Sequence, residues 1–302
     1  MSPPSAPAPA ADLVFDDEFR RKLERLELLA RKILRGLLRG EHTASRRGRG
    51  LEFYDFRGYR PGDDFRHIDW NIYARLDQLF LKLHASEEDL TLHLIVDASA
   101  SMSFGEPSKF DHARKLAAAL ACIALHNFDR VGVSMFAESL GESLAPSKAG
   151  HHMSSLLRFL GHLSCGGATS FGASLRAFAA RTRHRGLVIL ISDLLGAEDA
   201  QAGIEALRCA GHDVAVIQLL AEAEIDPPLD GALRLVDAET GDELEVTVDD
   251  ELRRYYQQRL ERRLQALEGF CRRQGVEYLR ASTAIAFEDI VLKCLRQGAH
   301  LK

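Results

Sequence analysis

The sequence predicts an α/β fold in which a doubly wound, mostly parallel sheet carries one antiparallel edge strand. The first observation is a series of apolar runs of strand length, at residues 92–96, 131–136, 187–191 and 214–219. The second is a set of helical patterns, at residues 108–127, 151–163, 172–183 and 200–210. Strands that alternate with helices form parallel sheets with helices on both faces. A strand at 139–145 follows the second run too closely for a crossover, so it should pair antiparallel at one edge.

The N-terminal part of the chain is predicted to lie outside this sheet. Residues 1–15, rich in proline and alanine, should form a disordered tail, and residues 16–44 a basic amphipathic helix. Eleven Lys/Arg and three Glu lie between Arg20 and Arg49, a local balance of +8 in a chain of net charge −5. Such a segment could meet nucleic acid, anionic lipid or an acidic protein, or lie against the chain's own acidic body. Contact with the chain's own acidic body is as well supported as all the external partners together, and nucleic acid is not the expected partner.

A small β subdomain is predicted from two separate segments, residues 45–88 and 225–249. The first contains strand patterns at 51–56 and 79–84, and the second resembles a hairpin because two strand patterns flank a polar turn. The rest of the chain is assigned to the domain that contains the parallel sheet, at residues 89–224 and 250–302.

A run dense in both signs of charge, residues 59–70, lies inside the first β segment. Its acids and bases can neutralise one another, so the run predicts an ion-pair network with Trp70 as the apolar anchor, in preference to acid–base chemistry or a metal site. The basic loop at 45–50 could grip phosphate but lacks the GxxxxGK[ST] pattern that wraps a nucleotide.

The composition indicates a folded protein of a reducing compartment. Apolar residues make up 46% of the 302 residues, enough for a sizeable core. The five cysteines are scattered without CxxC pairs, which argues against a disulfide framework and against a zinc module. No apolar run approaches the roughly 20 residues of a membrane span, and the N-terminus lacks a signal-peptide pattern. We therefore expect a cytoplasmic protein without a transmembrane segment.

Carboxylate and hydroxyl side chains follow two of the predicted strands and lie in a glycine-rich loop before a predicted helix. They are Asp97, Ser99, Ser101, Thr169 and Asp193. In open α/β sheets, ligands bind beyond the carboxyl ends of the strands. Mg²⁺ prefers oxygen ligands and is often held by one or two carboxylates. The sequence therefore predicts a site for Mg²⁺, or alternatively Mn²⁺ or Ca²⁺, although each residue alone could simply cap a helix or end a strand.

Two resemblances to known families rest on these residues. The pattern DASAS at 97–101, with Thr169 and Asp193, resembles the metal-ion-dependent adhesion site (DxSxS…T…D) of von Willebrand factor A domains. Residues 45–220, and above all the run GDDFRHIDW at 62–70, resemble a bacterial family, domain of unknown function fifty-eight. Members of that family often accompany MoxR-type AAA+ ATPases.

The resemblance implies a von Willebrand A-like fold and a set of metal ligands. Asp97, Ser99 and Ser101 would contact the metal directly or through water, and Thr169 and Asp193 would complete its shell. The loop reads Gly-Gly-Ala-Thr where Gly-Gly-Thr is more usual, so the choice between Thr169 and Ser170 stays open.

The same resemblance implies binding in place of catalysis. The chain would be a non-enzymatic, Mg²⁺-dependent protein-binding module, in which a partner protein offers a carboxylate to the metal and a MoxR-type AAA+ ATPase is the expected partner. No Cys or Ser nucleophile with a neighbouring His base is evident, and Ser99 stands where a DxD phosphatase needs its second Asp. A metal-dependent phosphoester hydrolase, or a nucleic-acid-associated protein using the basic N-terminal segment, are the alternatives. One of the chain's own acids could fill the free metal position; Glu106 is a candidate, although it could equally be an exposed turn residue.

Overall fold

The computed structural model describes nine stretches of the chain: residues 14–40, 55–59, 70–76, 78–83, 90–127, 130–148, 151–182, 184–196 and 199–298. The predicted tail up to residue 13, the basic loop at 45–50 and most of the charged run at 59–70 lie outside these stretches. The chain divides into two compact units, Met1–Ile33 with Leu90–Lys302, and Leu34–Asp89.

The described residues form ten strands and nine α-helices. The strands are β1 (Asp55–Gly58), β2 (Phe80–Leu83), β3 (Thr91–Asp97), β4 (Arg130–Phe136), β5 (Leu140–Ser147), β6 (Leu187–Ser192), β7 (Asp213–Leu220), β8 (Gly231–Val236), β9 (Glu243–Val248) and β10 (Glu277–Ser282). The helices are α1 (Asp17–Gly40), α2 (Trp70–Leu76), α3 (Lys109–His126), α4 (His152–His162), α5 (Phe171–Arg181), α6 (Ala200–Cys209), α7 (Glu222–Ile225), α8 (Asp250–Arg273) and α9 (Phe287–Gly298), with a 3₁₀ turn at Ala100–Ser103.

The main sheet confirms the predicted fold class. It has six strands in the order β10-β7-β6-β3-β4-β5, and every neighbouring pair is parallel except β4 with β5. The antiparallel edge strand is therefore where its short connection to β4 predicts it. Strand β3 is buried along its whole length, which explains why its sequence is a near-continuous apolar run and not an alternating one.

Helices cover both faces of this sheet, and alternate strand residues face opposite sides. In β3, Leu94 and Val96 belong to one core cluster and Ile95 to the other. The first cluster also contains buried residues of α1, α3, α4 and α9, and the second contains those of α5, α6 and α8. Because successive side chains of a strand point to opposite faces, each strand contributes residues to two separate cores. A doubly wound sheet requires this arrangement.

The predicted N-terminal helix is confirmed as α1, and its apolar side packs on the main unit. Phe19 lies 5.2 Å from Phe287 of α9 between ring centroids, and Leu26 and Ala30 are buried. One turn after Phe19 along the helix, Lys22 pairs with Glu288 of α9 at 3.5 Å. At least part of the basic segment therefore lies against the chain's own acidic residues.

The two hairpins that the sequence assigns to one subdomain form separate two-stranded sheets. β1 pairs with β2, and β8 pairs with β9. Residues 225–249 belong to the compact unit that contains the main sheet, whereas residues 34–89 form the other unit. The prediction that the two hairpins share one subdomain is therefore wrong. The sequence could not decide this, because pairing between distant hairpins leaves no local pattern. The remaining boundaries stay predictions.

Helix α2 was not predicted, and it changes the interpretation of Trp70. The indole is 61% exposed and meets Tyr73 edge to face, with ring centroids 6.1 Å apart. The charged residues that Trp70 would anchor, 60–69, lie outside the described residues, so the ion-pair network stays a prediction. Among the described helices, none is both long and apolar enough to cross a membrane.

Acid should destabilise the fold through His93, which is buried at the start of β3. Burial lowers the pKa of this imidazole from 6.5 to about 4, although the nearby carbonyl of His184, 3.0 Å from Nε2, favours the protonated form. Between those two pKa values the unfolded chain binds more protons than the folded one, so stability falls as pH falls, by up to about 1.4 kcal/mol per pH unit. Urea unfolding at pH 7, 6 and 5 should show a shallower decline for His93→Gln than for wild type, and an unchanged decline for the exposed control His151→Gln. Parallel declines for His93→Gln and wild type would contradict this.

Candidate functional site

The candidate site lies at the carboxyl ends of β3 and β6, which are neighbours in the sheet. From β3 the chain proceeds to β4 and β5 on one side, and from β6 it proceeds to β7 and β10 on the other. The crevice between two strands whose connections diverge in this way is where open α/β sheets bind their ligands. Asp97 is the last residue of β3, and Asp193 directly follows β6.

Asp97 and the two serines after it form the centre of the site. The carboxylate is buried, and its Oδ1 accepts a hydrogen bond from the Ser99 backbone N–H at 2.9 Å. The 3₁₀ turn begins immediately afterwards and brings Ser101 beside Ser99, with their Oγ atoms 3.0 Å apart. The local backbone therefore collects one carboxylate and two hydroxyls from five consecutive residues.

Backbone hydrogen bonds attach the glycine-rich loop to this turn. The Ala100 N–H donates to the Gly167 carbonyl at 2.9 Å, and the Gly166 N–H donates to the Ala98 carbonyl at 2.8 Å. Gly167 has a φ of +79°, a conformation that side chains disfavour, so a glycine is needed for the loop to turn here. Thr169 follows Gly167 by two residues in this loop, and its role as a metal ligand stays a prediction.

Thr169 is bound by an acid of its own chain, Glu239. This residue lies in the turn between β8 and β9. Its carboxylate accepts from the Thr169 N–H through Oε2 at 2.9 Å, and from the Thr169 hydroxyl through Oε1 at 2.7 Å. The alternative residue, Ser170, uses its N–H to donate to the Ala137 carbonyl at 2.9 Å and begins α5. The glutamate contact distinguishes Thr169 from Ser170.

Asp193 faces a buried lysine. Its Oδ2 is 2.5 Å from Lys109 Nζ, and its Oδ1 accepts from the Leu195 N–H at 3.1 Å. The same ammonium group also pairs with Glu224, so Lys109 lies between two carboxylates. The Lys109 side chain has no solvent exposure. A metal ion that used Asp193 would therefore share that carboxylate with a lysine.

The electrostatics around Asp97 favour the arrival of a positive charge. Burial, and then the nearby charge of Asp193, raise the pKa of the Asp97 carboxyl to about 6. The Ser192 hydroxyl donates to Asp97 Oδ2 at 2.5 Å and partly opposes that rise. Burial also raises the pKa of the Glu224 carboxyl, against the lowering by Lys109. Asp97 and Asp193 are neighbouring buried carboxylates, but Lys109 pairs with Asp193 and with Glu224. The Asp97 carboxylate accepts from a backbone N–H and the Ser192 hydroxyl, which carry no positive charge, so an arriving cation would be its counter-charge.

The donor set fits a hard divalent cation. Asp97, Ser99, Ser101, Thr169 and Glu239 offer only carboxylate and hydroxyl oxygens, which suit Mg²⁺, Mn²⁺ or Ca²⁺. Asp97 and the two serines would hold such an ion, with Thr169 completing the set.

Softer donors come together elsewhere in the described residues, at Glu27, Cys122 and His126. There His126 uses Nε2 towards Glu27, at 3.0 Å, and Nδ1 towards Cys122 Sγ, at 4.0 Å. One potential ligand atom from each of the three residues lies within 4.8 Å of the other two.

Sequence reasoning missed four residues of the site: Lys109, Ser192, Glu224 and Glu239. Ser192 carried a detectable signal, because it directly precedes Asp193 at the end of an apolar run. Lys109 was visible only as the first residue of a predicted helix, and Glu239 only as part of a polar turn. Glu106, the acid considered as a self-ligand, is exposed. The acid of this chain that contacts a predicted ligand is Glu239, which binds Thr169, and the sequence does not indicate this contact.

The sequence is similar to a family and to bacterial relatives. Residues 55–266 match the model of the family described as protein of unknown function DUF58. This chain belongs to the DUF58 family. Uncharacterized proteins of Mycobacterium bovis and Mycobacterium tuberculosis are 30% identical to it over 244 residues, which cover 79% of this chain and 76% of theirs. These matches confirm the predicted resemblance to domain of unknown function fifty-eight.

Solved structures that resemble the DUF58 chain do so at low identity. BatB from Bacteroides thetaiotaomicron is 16% identical, covers 70% of this chain and all (100%) of its own, and has a TM-score of 0.45. An aerotolerance-related membrane protein from Bacteroides fragilis is 17% identical with the same coverage and TM-score. The pilus adhesin SpaC from Lactobacillus rhamnosus GG is 12% identical, with 71% of this chain and 31% of the adhesin covered and a TM-score of 0.45. Likeness at this level supports no statement about ligands or partners.

Proposed function

We propose that this DUF58 protein is a non-enzymatic, divalent-cation-dependent protein-binding module of the von Willebrand A type. Asp97, Ser99, Ser101 and Thr169 would hold the ion, most suitably Mg²⁺, and a partner protein would add a carboxylate. Asp193 would contribute from beside Lys109. The observation that carries this proposal is the Glu239 carboxylate on Thr169. It supports the view that a carboxylate from outside the strand-end loops fits at this position.

A MoxR-type AAA+ ATPase is the partner that the family resemblance suggests. The proposal for the partner is independent of the proposal for the metal, because an ATPase could also bind elsewhere on the protein. Capture therefore has to be shown to depend on the site. Asp97 is the best residue for this test, because its carboxylate is buried, accepts from the Ser99 N–H and the Ser192 hydroxyl, and lies near the charge of Asp193.

Affinity capture from a native bacterial lysate should retain a partner in Mg²⁺ and release it in EDTA. Asp97→Ala should lose the partner, whereas Asp213→Ala should keep it, because Asp213 is exposed at the opposite end of strand β7. Mass spectrometry of the retained protein would then test for an AAA+ ATPase. Equal retention by both variants, with and without Mg²⁺, would overturn the proposed site.

The same variants separate this function from hydrolysis. A phosphoester hydrolase predicts Mg²⁺-dependent turnover of p-nitrophenyl phosphate that disappears in Asp97→Ala and persists in Asp213→Ala. The binding module predicts no turnover in any of the three proteins. Nucleic-acid binding through the basic N-terminal segment would instead give an affinity that falls steeply with salt and does not depend on Asp97.

A further inference from the structure

We propose that Glu239 is a resident ligand of Thr169, which a partner's carboxylate has to displace. The tip of the β8–β9 hairpin, residues 237–242, would then compete with the partner inside the same molecule. This inference rests on the proposed function, because it concerns the same site and the same ligand chemistry.

The contact has the geometry of a carboxylate-binding subsite. Both oxygens of Glu239 accept hydrogen bonds from a single residue, one from the Thr169 N–H and one from its hydroxyl. Hydrogen bonds to an ionised acceptor are roughly twice as strong as those between neutral groups, and two in parallel also fix the orientation. Glu239 is half-buried, whereas its neighbours Ala238 and Thr240 are exposed. Only the glutamate of this turn enters the site.

The turn is ordered by its own hydrogen bonds, so that it presents Glu239 outward from the hairpin. Asp237 Oδ1 accepts from the N–H groups of Glu239 and Thr240, both at 2.8 Å, and these bonds lower the pKa of the Asp237 carboxyl. The Thr240 hydroxyl donates to Asp242 at 2.8 Å, and Gly241 provides the residue with positive φ, +75°. Presentation of the glutamate therefore does not require the contact with Thr169.

The strands behind the turn hold it only weakly to the rest of the protein. Nine of the twelve residues of β8 and β9 are exposed, including the cross-strand pair Leu235 and Leu244, whereas two others are half-buried and Val248, at the base of the hairpin, is buried. An isolated two-stranded hairpin is at best marginally stable, and no residue of β8 or β9 belongs to either of the two core clusters on the faces of the main sheet. The tip can therefore leave Thr169 without disturbing either core cluster. A weakly held arm with an ordered acidic tip is suited to reversible occupation of the site.

The expected effect on binding follows from the fraction of molecules in which the tip is released. If the tip occupies Thr169 in nine molecules of ten, a competing carboxylate binds about tenfold more weakly than to a protein without Glu239. Higher occupancy gives a proportionally larger factor. Glu239→Ala removes the competitor, and Glu245→Ala is the matched control because Glu245 is exposed on the same hairpin.

The first measurement needs no metal. Hydrogen exchange of the full chain in EDTA, followed by mass spectrometry of peptides that cover residues 165–172, reports the protection of the Thr169 N–H. Glu239→Ala should exchange about tenfold faster there than wild type and Glu245→Ala, because the N–H loses its acceptor. Equal exchange in all three proteins would overturn the inference, whatever the metal does.

The second measurement uses the tip itself as the probe, a capped peptide of residues 236–243, in saturating Mg²⁺. Titration should give about tenfold tighter binding of the peptide to Glu239→Ala than to wild type. A peptide in which glutamine replaces Glu239 should not bind. Equal affinities for wild type and Glu239→Ala, or no binding to Glu239→Ala, would contradict resident competition. The proposed function fails differently: Mg²⁺ would then act equally on wild type and Asp97→Ala, while the exchange result in EDTA would stand.

Discussion

Replacing Lys109 with methionine should lower the free energy of unfolding by about 3–5 kcal/mol, the usual loss when one member of a buried ion pair is removed. The lysine has no exposed side-chain surface, and its single positive charge pairs with both Asp193 and Glu224. Methionine keeps most of the volume, so the loss arises mainly from two carboxylates left buried without their cation. Lys109 is also the first residue of α3, where a positive charge opposes the helix dipole. Its favourable energy must therefore come from the two acids.

Urea unfolding monitored by circular dichroism measures this loss, and Lys115→Met is the control on the same helix. Lys115 is half-exposed, so its removal should change the free energy of unfolding by less than about 1 kcal/mol. The triple change Lys109→Met, Asp193→Asn and Glu224→Gln should recover part of the stability, because the uncompensated charges are gone. A loss below about 1 kcal/mol for Lys109→Met alone would show that the three charges do not form the buried cluster described above.

Mg²⁺ should stabilise the wild-type protein by about 2.7 kcal/mol at a concentration one hundred times its Kd, because it binds the folded state only. Asp97→Ala should remove this stabilisation entirely, since the alanine deletes the one carboxylate that contacts both the Ser99 backbone and the Ser192 hydroxyl. The melting temperature with and without Mg²⁺ is the measurement. Asp213→Ala again serves as the control and should respond as wild type does.

The comparison is made between the Mg²⁺ responses of the proteins, not between their absolute stabilities. Asp97→Ala also removes a buried acid whose pKa is raised, so its stability without metal can change in either direction. If wild type and Asp97→Ala gain the same stability from Mg²⁺, the ion binds elsewhere. If neither gains any, the oxygen cluster is not a metal site under those conditions.

Much of the fold follows from the sequence because each local pattern agrees with the tertiary structure. The run ending at Asp97 is nearly continuously apolar because β3 is buried on both faces, and α3 begins where the helical pattern predicts it because the Ser108 hydroxyl accepts from the Asp111 N–H at 3.1 Å. The antiparallel edge follows from a connection too short for a crossover. These features depend on residues close together in the chain.

The site was only partly predictable, because its decisive contacts join residues far apart in the chain. Lys109 is 84 residues from Asp193, and Glu239 is 70 residues from Thr169. A pattern of strand ends indicates which side chains leave the sheet, but not which distant side chains meet them. The exposure of Trp70 is likewise set by packing that no local pattern records.

The edge strand β5 also limits how another protein can associate with this sheet. Its pairing with β4 is interrupted by two shifts of register, and it contains Pro146, which cannot donate a backbone hydrogen bond. Pro146 packs so closely on Gly132 that a Cβ there would lie 2.8 Å from the proline ring. Irregular edges of this kind resist the addition of a further strand. Recognition by sheet extension is therefore disfavoured along β5, and of the two edge strands of this sheet only β10 pairs with its neighbour in unbroken register.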